Sequence, residues 1–432
     1  MNIKILFMTV AVLCSWCGLA YCDEWPDWRG PNRDGTWQEK DVKENFDSQQ
    51  IKKKWRVPIS SGYSGPTVAD KRLYITDRIE EPKDIERILC FDAMTGEKIW
   101  SYSYDCKYNV GYPAGPRASV VIDGDRAYSL GAMGHLFCFQ NKTGKVLWAK
   151  NLDDIYDIKM PSWGIAAAPL VIDDKIILQI GGRDHACVVA LNKFSGKEIW
   201  KNLNDDCSYS PPILIEQVNK PVVVIWTGQR VVGLNPDTGI IYWQQEFEQK
   251  KTVINIATPV IYNNYLFVSS FYDGSMLLKL DTETLGVQKI WRRSGKNEKI
   301  TDALHCCIST PLLKDDLVYG VDSYGELRCL DLLSGNRIWE DLSAVKSARW
   351  ANIHFVQNGE LTYMFNEHGE LIIAKLSIMG FHEISRTKLI DPTREQLSRK
   401  GSGVTWAHPA FAYKHVYVRS DNELVCVDLE EE

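Results

Sequence analysis

CFDAMTGEKIW, Cys90–Trp100, is an apolar pair, an Asp, two variable residues, Thr-Gly, three more residues and a Trp, and the chain repeats it. CFQNKTGKVLW ends at Trp148, ALNKFSGKEIW at Trp200, GLNPDTGIIYW at Trp243 and CLDLLSGNRIW at Trp339. KLDTETLGVQKIW ends at Trp291 and carries one extra residue on each side of the turn. From Trp100 onward the Trp positions are therefore spaced by 48, 52, 43, 48 and 48 residues. A degenerate seventh copy, AKLSIMGFHEI, ends at Ile384, and an eighth begins with LVCVDLEEE, Leu424–Glu432.

Each copy reads as a hairpin. The apolar run is a strand, Asp92 and its equivalents bond back to the backbone two residues on, and Gly96 and its equivalents supply positive φ. The Trp lies on the return strand and buries a large ring between neighbouring units. Upstream of each copy lies a second hairpin with a D-G, D-D or N-N turn, as in SVVIDGDRAYSLG, APLVIDDKIILQI and TPVIYNNYLFVSS. Four short strands recurring every ~40–50 residues define a β-propeller. The truncated eighth copy lacks its outermost strand, and IKKKWRVPIS, with Trp55, fits that place. The expectation is an all-β, eight-bladed propeller of four-stranded antiparallel blades over residues 55–432, closed by the N-terminal strand, with residues 23–54 as an N-terminal extension.

Composition narrows the function. Lys plus Arg total 50 and Asp plus Glu 56, for a net charge of −6, so the chain has no general pull on nucleic acid. Hydrophobic residues at 45% and charged ones at 25% are ordinary globular usage. Residues 1–22, MNIKILFMTVAVLCSWCGLAYC, read as a signal peptide with Lys4 before a short apolar run and small residues Gly18 and Ala20 near its end. Export to the periplasm or the outside is expected, with Cys22 a poor lipidation site because Tyr21 stands where a small residue is needed. No later apolar run approaches the ~20 residues of a membrane span. A soluble monomer is expected.

The Asp-x-x-Thr-Gly-x-x-x-Trp repeat resembles the pyrroloquinoline-quinone (PQQ) type of propeller repeat. WPDWRGPNRDG, Trp25–Gly35, is similar to the entry segment of exported PQQ-binding-like propeller proteins. The resemblance implies either of two classes: quinoprotein dehydrogenases, which hold the quinone and calcium on the axis, or non-catalytic scaffolds of the BamB type. Fold alone does not choose between them. Cys90, Cys138, Cys329 and Cys426 occupy one slot of the repeat and read as small buried hydrophobes. Cys106 and Cys207 fall in connections of non-adjacent blades and are not expected to pair. Cys306-Cys307 is a candidate vicinal disulfide, which the dehydrogenase class places beside its cofactor; two packed thiols are the alternative. No zinc-ligand spacing appears, and no metal site is expected. Asn141-Lys142-Thr143 is a glycosylation sequon within a repeat turn.

The connections that lead into each blade's first strand should gather at one end of the axis. They carry Tyr63, Tyr112, Arg117, Trp163, Tyr209, His305, Trp350, His354, Trp406 and His408. Converging aromatics with a few polar groups make ligand and interaction sites. Arg117 suits a carboxylate or a structural bond to loop carbonyls. The expected binding residues are Tyr63, Arg117, Trp163, Tyr209, His305, Trp350 and Trp406. Asp105, Asp154 and Asp302 lie in the right connections for calcium, but no spacing links them. These features favour an exported non-enzymatic propeller that presents an aromatic face to a protein, peptide or glycan and needs no cofactor. The alternative is a small oxidoreductase that uses PQQ with calcium.

Overall fold

The computed structural model describes residues 24–47, 51–397 and 402–431; the signal peptide and Cys22 lie outside them. The described strands form eight separate four-stranded antiparallel sheets. Blade one runs outward from the axis as Thr67–Ala69, Arg72–Ile79, Ile85–Asp92 and Lys98–Asp105. Blades two to seven repeat this order, beginning at Val121–Asp123, Leu170–Ile172, Ile213–Gln217, Val260–Tyr262, Leu312–Lys314 and Ile353–Asn358. Blade eight takes Ala410–Ala412, His415–Arg419 and Glu423–Asp428 from late in the sequence and its outermost strand, Lys53–Pro58, from early in it. Trp55 lies opposite Cys426 and Lys53 opposite Val427, so the ring is closed by an antiparallel ladder, as the repeat arithmetic requires. The chain is an eight-bladed β-propeller.

The Nε1–H of the repeat Trp donates to a carbonyl in the turn of the next blade, and at five junctions its ring also lies against that turn's glycine; at blade seven Gly380 has no such contact. Trp55 donates to Ala93, Trp100 to Asn141, Trp148 to Lys193, Trp200 to Pro236, Trp291 to Leu332 and Trp339 to Ser377, all at 2.8–3.0 Å. Gly96, Gly144, Gly196, Gly239 and Gly335 sit over the preceding blade's ring with φ between +68° and +75°. Blade five's turn is the one with an extra residue on each side. There Gln217 relays the contact: its Oε1 accepts from Trp243 at 2.8 Å while its Nε2 donates to Gly286 at 2.7 Å. The cysteine slot is explained by the same ring. Cys90, Cys138, Cys329 and Cys426 face Trp100, Trp148, Trp339 and Trp55 across the ladder, with a bulge beside each pair. All four are fully buried.

Blade seven has no Trp because blade eight has no turn to receive one: its third and fourth strands come from opposite ends of the sequence. Residues 37–46 fill that seam instead. Trp37 packs on Tyr363 and Phe411 at 5.1 and 5.0 Å, Tyr363 donates to the Lys43 carbonyl, and Phe46 N–H donates to Ser385.

The segment before the seam fills the hub. Trp25 bridges Val68 of blade one, and Pro26 accepts from Ile122 of blade two. Trp28 Nε1–H donates to Thr258 beside blade five, Arg33 donates to Ala168 and Pro169 at blade three, and Gly35 bonds Gln357 of blade seven. In an eight-membered ring blades one and five are opposite, as are three and seven. A segment touching all four crosses the axis. The stretch expected to be an extension is therefore an internal plug, with Trp25, Arg29 and Arg33 buried.

The turn contact gives a direct test. Gly124 has φ +57° with nothing within 4 Å of a built Cβ, whereas a Cβ on Gly144 would fall 2.6 Å from the Trp100 ring. Gly124→Ala should cost about 1–2 kcal/mol, the left-handed backbone term alone. Gly144→Ala should cost roughly 2–5 kcal/mol, because ~1–3 kcal/mol of overpacking is added. Denaturant midpoints of the two variants provide the comparison.

Candidate functional site

Every blade-to-blade connection reaches the same end of the axis, and all eight contribute to one cavity of about 150 Å³. Tyr63, Tyr112 and Arg117 come from the connections before blades one and two, Trp163 and Tyr209 from those before three and four. Ile254 and Ile256 precede blade five, Cys307 and Ile308 blade six, Trp350 blade seven and Trp406 blade eight. Trp28 of the plug completes the lining as its floor. The plug thus turns an open axial channel into a cup. Tyr63, Arg117, Trp163, Tyr209, Trp350 and Trp406, expected from sequence, meet here, together with Tyr112. Trp28 and the three isoleucines carried no repeat signal; for Trp28 the clue was a second Trp in a segment with no blade of its own.

The ring positions are held firmly. Tyr112 meets Trp163 and Trp350 edge-on at 6.0 and 6.2 Å, and Trp163 packs on Tyr209 at 5.1 Å. Tyr112 and Trp350 have φ of +51° and +68°, a region costly for bulky residues and found where a site over-determines its backbone. The polar tips are mostly engaged with protein. Tyr63 Oη–H donates to the Gln396 carbonyl at 2.8 Å, Trp406 Nε1–H to Glu367 at 3.2 Å, and Tyr209 Oη accepts from Trp163 N–H at 3.3 Å. Burial pushes the Tyr63 and Tyr209 phenols above their ordinary range, so both stay neutral. What the cup presents is ring face and aliphatic carbon.

Among the described residues, Arg117 is the charged residue of the lining. Its guanidinium donates to the carbonyls of Gly111, Tyr112 and Gly115 and lies 4.9 Å over the Tyr63 ring. Both roles considered from sequence meet in it: it ties down the Tyr112 loop and keeps its charge at the cup wall.

His305 does not belong to the cup. It is fully buried, with Nδ1 3.0 Å from the Phe271 carbonyl and Nε2 accepting from Gly295 N–H at 3.1 Å, so it fastens its own connection to blade five. The connection approaching blade six turns this ring inward and Cys307 toward the axis. Cys306 and Cys307 are not joined to each other. The Cys306 thiol is buried among Phe267, Leu277 and Leu304, and burial raises it far above its ordinary range. His354 and His408 lie beneath the floor. Their rings are 4.8 Å apart, and His408 packs 5.3 Å from Trp28 and 6.0 Å from Trp25.

The lining does not fit a quinone with calcium. Calcium takes roughly six to eight oxygen ligands, and among the described residues no carboxylate lines the cup. Asp302 pairs with Arg293 at 2.7 Å, Asp105 pairs with Lys83 at 2.6 Å, and Asp154 bonds Asn151, each away from the axis. Among the described residues no three His, Cys, Asp or Glu side chains are grouped to hold a metal ion. The volume also falls below the ~300–1,000 Å³ of pockets for drug-sized ligands.

Fold and site define a class: a propeller with a filled axis whose end face is a preformed aromatic cup. The profile of the family described as outer membrane protein assembly factor BamB matches residues 107–341, just over half of the chain. The chain belongs to that family of PQQ-like repeat propellers. BamB of Yersinia pestis is 24% identical over 207 residues, 45% of this chain and 47% of the relative, so the match spans about half that protein's length. The crystal structure of BamB from Moraxella catarrhalis matches with a TM-score of 0.57 at 16% identity, covering 88% of this chain and 99% of that one. Quinohemoprotein alcohol dehydrogenase from Comamonas testosteroni matches with a TM-score of 0.65 at 12% identity, over 95% and 81% of the respective chains. At such identities the likeness to both structures is one of fold. Among the described residues no helix is long and apolar enough to cross a membrane.

The buried histidines predict a pH dependence. Desolvation lowers His354 from 6.5 to about 4 and His408 well below 6.5; the nearby Arg29 charge lowers both further, and His354 adds to the lowering of His408. Between those values the unfolded chain takes up protons that the folded chain refuses, so stability falls as pH drops from about 6.5 toward 4. His354 alone accounts for about 3 kcal/mol when the drop is complete. Denaturant midpoints at neutral and acid pH should differ less in His354→Asn than in the parent.

Proposed function

We propose that the protein is an exported, monomeric, non-enzymatic propeller of the scaffold or assembly type that docks a protein partner on its aromatic cup. The observation that carries this reading is the lining itself: eight connections converge on one preformed cavity of rings and aliphatic carbon, with no carboxylate among the described residues to act as base or metal ligand. The BamB relationship supports it, since those relatives are named as assembly factors. The leader-like residues 1–22 support export. A protein or peptide fits better than a glycan, because sugar hydroxyls need polar partners and most of the tips here are engaged within the protein.

A photo-crosslinking amino acid at Tyr112, which is 36% exposed at the cup mouth, should yield a discrete protein adduct in the native cell. The same probe at Met379, 89% exposed at a turn on the opposite face, should not. Equal labelling from both sites would overturn the docking role. Pyrroloquinoline quinone with calcium should leave the melting temperature unchanged, whereas stabilisation by it would favour the dehydrogenase reading.

A further inference from the structure

The geometry points to the chemistry of what enters the cup: one aromatic side chain, carried on an extended segment of a partner protein beside an acidic residue. This rests on the docking role proposed above and deepens it.

Size comes first. A cavity of about 150 Å³ is on the scale of an engineered apolar cavity that holds a benzene molecule. It admits one ring, and a larger ligand must leave most of its body outside. The walls select the same guest. Trp163, Trp350 and Trp406 surround the space and Trp28 closes it below, so an entering ring meets faces and edges at the spacings aromatic pairs favour. A polar guest would lose its water and find few open donors or acceptors, because Tyr63, Trp28 and Trp406 direct theirs into the protein.

Charge supplies the second element. Two guanidiniums flank the mouth. Arg349 lies 4.4 Å over the Trp350 ring and is neutralised by Glu298 at 2.8 Å. Arg117 is held by three carbonyls, which orient it without neutralising it, and among the described residues no carboxylate lies within 4.0 Å of it. A positive charge against an apolar wall favours a carboxylate beside the inserted ring, which an adjacent Asp or Glu provides. Preorganisation completes the case: Tyr112 and Trp350 already sit in left-handed backbone, so little ordering cost is left for the moment of binding.

The test uses the full chain and calorimetric titration with short, end-blocked peptides in a Gly-Ser background. A peptide with Asp-Phe at its centre should bind. Replacing its Phe with Ala should weaken binding by about tenfold or more, as for a hot-spot anchor. Replacing its Asp with Lys should weaken it several-fold, with the difference shrinking as salt is raised. In the variant Arg117→Gln the Asp-to-Lys difference should disappear. The inference is overturned if the Ala peptide binds as well as the Phe peptide, or if the Lys peptide is no weaker. It is also overturned if free 3-phenylpropionate matches the peptide, which would make the cup a small-molecule site. A Tyr112 adduct in cells with no peptide binding would sink the aromatic-acidic chemistry alone; absence of both would sink the docking role with it.

Discussion

An indole needs a flat surface free of side chains for its face and an acceptor for its N–H, and a Thr-Gly turn offers both at once. The glycine leaves the space, and the carbonyl behind it takes the proton. Because the turn belongs to the next blade, each contact orients one sheet relative to its neighbour, and repetition of one local geometry bends the array into a ring. Where the turn is enlarged, at Asp281–Gly286, the ring cannot reach the backbone and Gln217 bridges the gap. Where there is no turn, at the seam, there is no Trp. The exceptions follow from the same requirement as the rule.

This is why the wheel could be read from sequence. Strand, turn and Trp are local and recur at fixed spacing, and the partner of each Trp lies about one repeat away. The plug shows no such regularity. Arg33 finds its acceptors at Ala168 and Pro169, more than a hundred residues off, and nothing in RGPNRDG names them. Trp28 could be noted as surplus to the blades, but its place under the cup depends on a hub that forms only when the ring closes. The connections fell between these extremes. Their aromatics could be assigned to one face, since every such connection ends there. His305 could not be sorted from the rest, because a side chain in an irregular connection points toward the axis or back into its blade according to the backbone bonds it finds, here Phe271 and Gly295.

Plug and cup form one construction. An eight-bladed ring leaves an axial hole too wide for its inner strands to fill, and residues 24–35 occupy it with two Trp, two buried Arg and hydrogen bonds to five blades, three through the backbone and two through Trp28 and Arg33 side chains. Trp28 faces the cup while Trp25 packs below, and the His408 ring contacts both. The Trp28 ring underlies the cup lined by the rings above it. That arrangement suits holding a side chain at the surface better than passing a substrate to a buried centre.

The seam between blades seven and eight has a temporal meaning. Lys53–Pro58 comes before the first whole blade in the chain, yet the strand that pairs with it, Glu423–Asp428, follows the other seven blades. Lys53–Pro58 stays unpaired until the last hairpin has formed. The wheel therefore locks only when its eighth blade is complete.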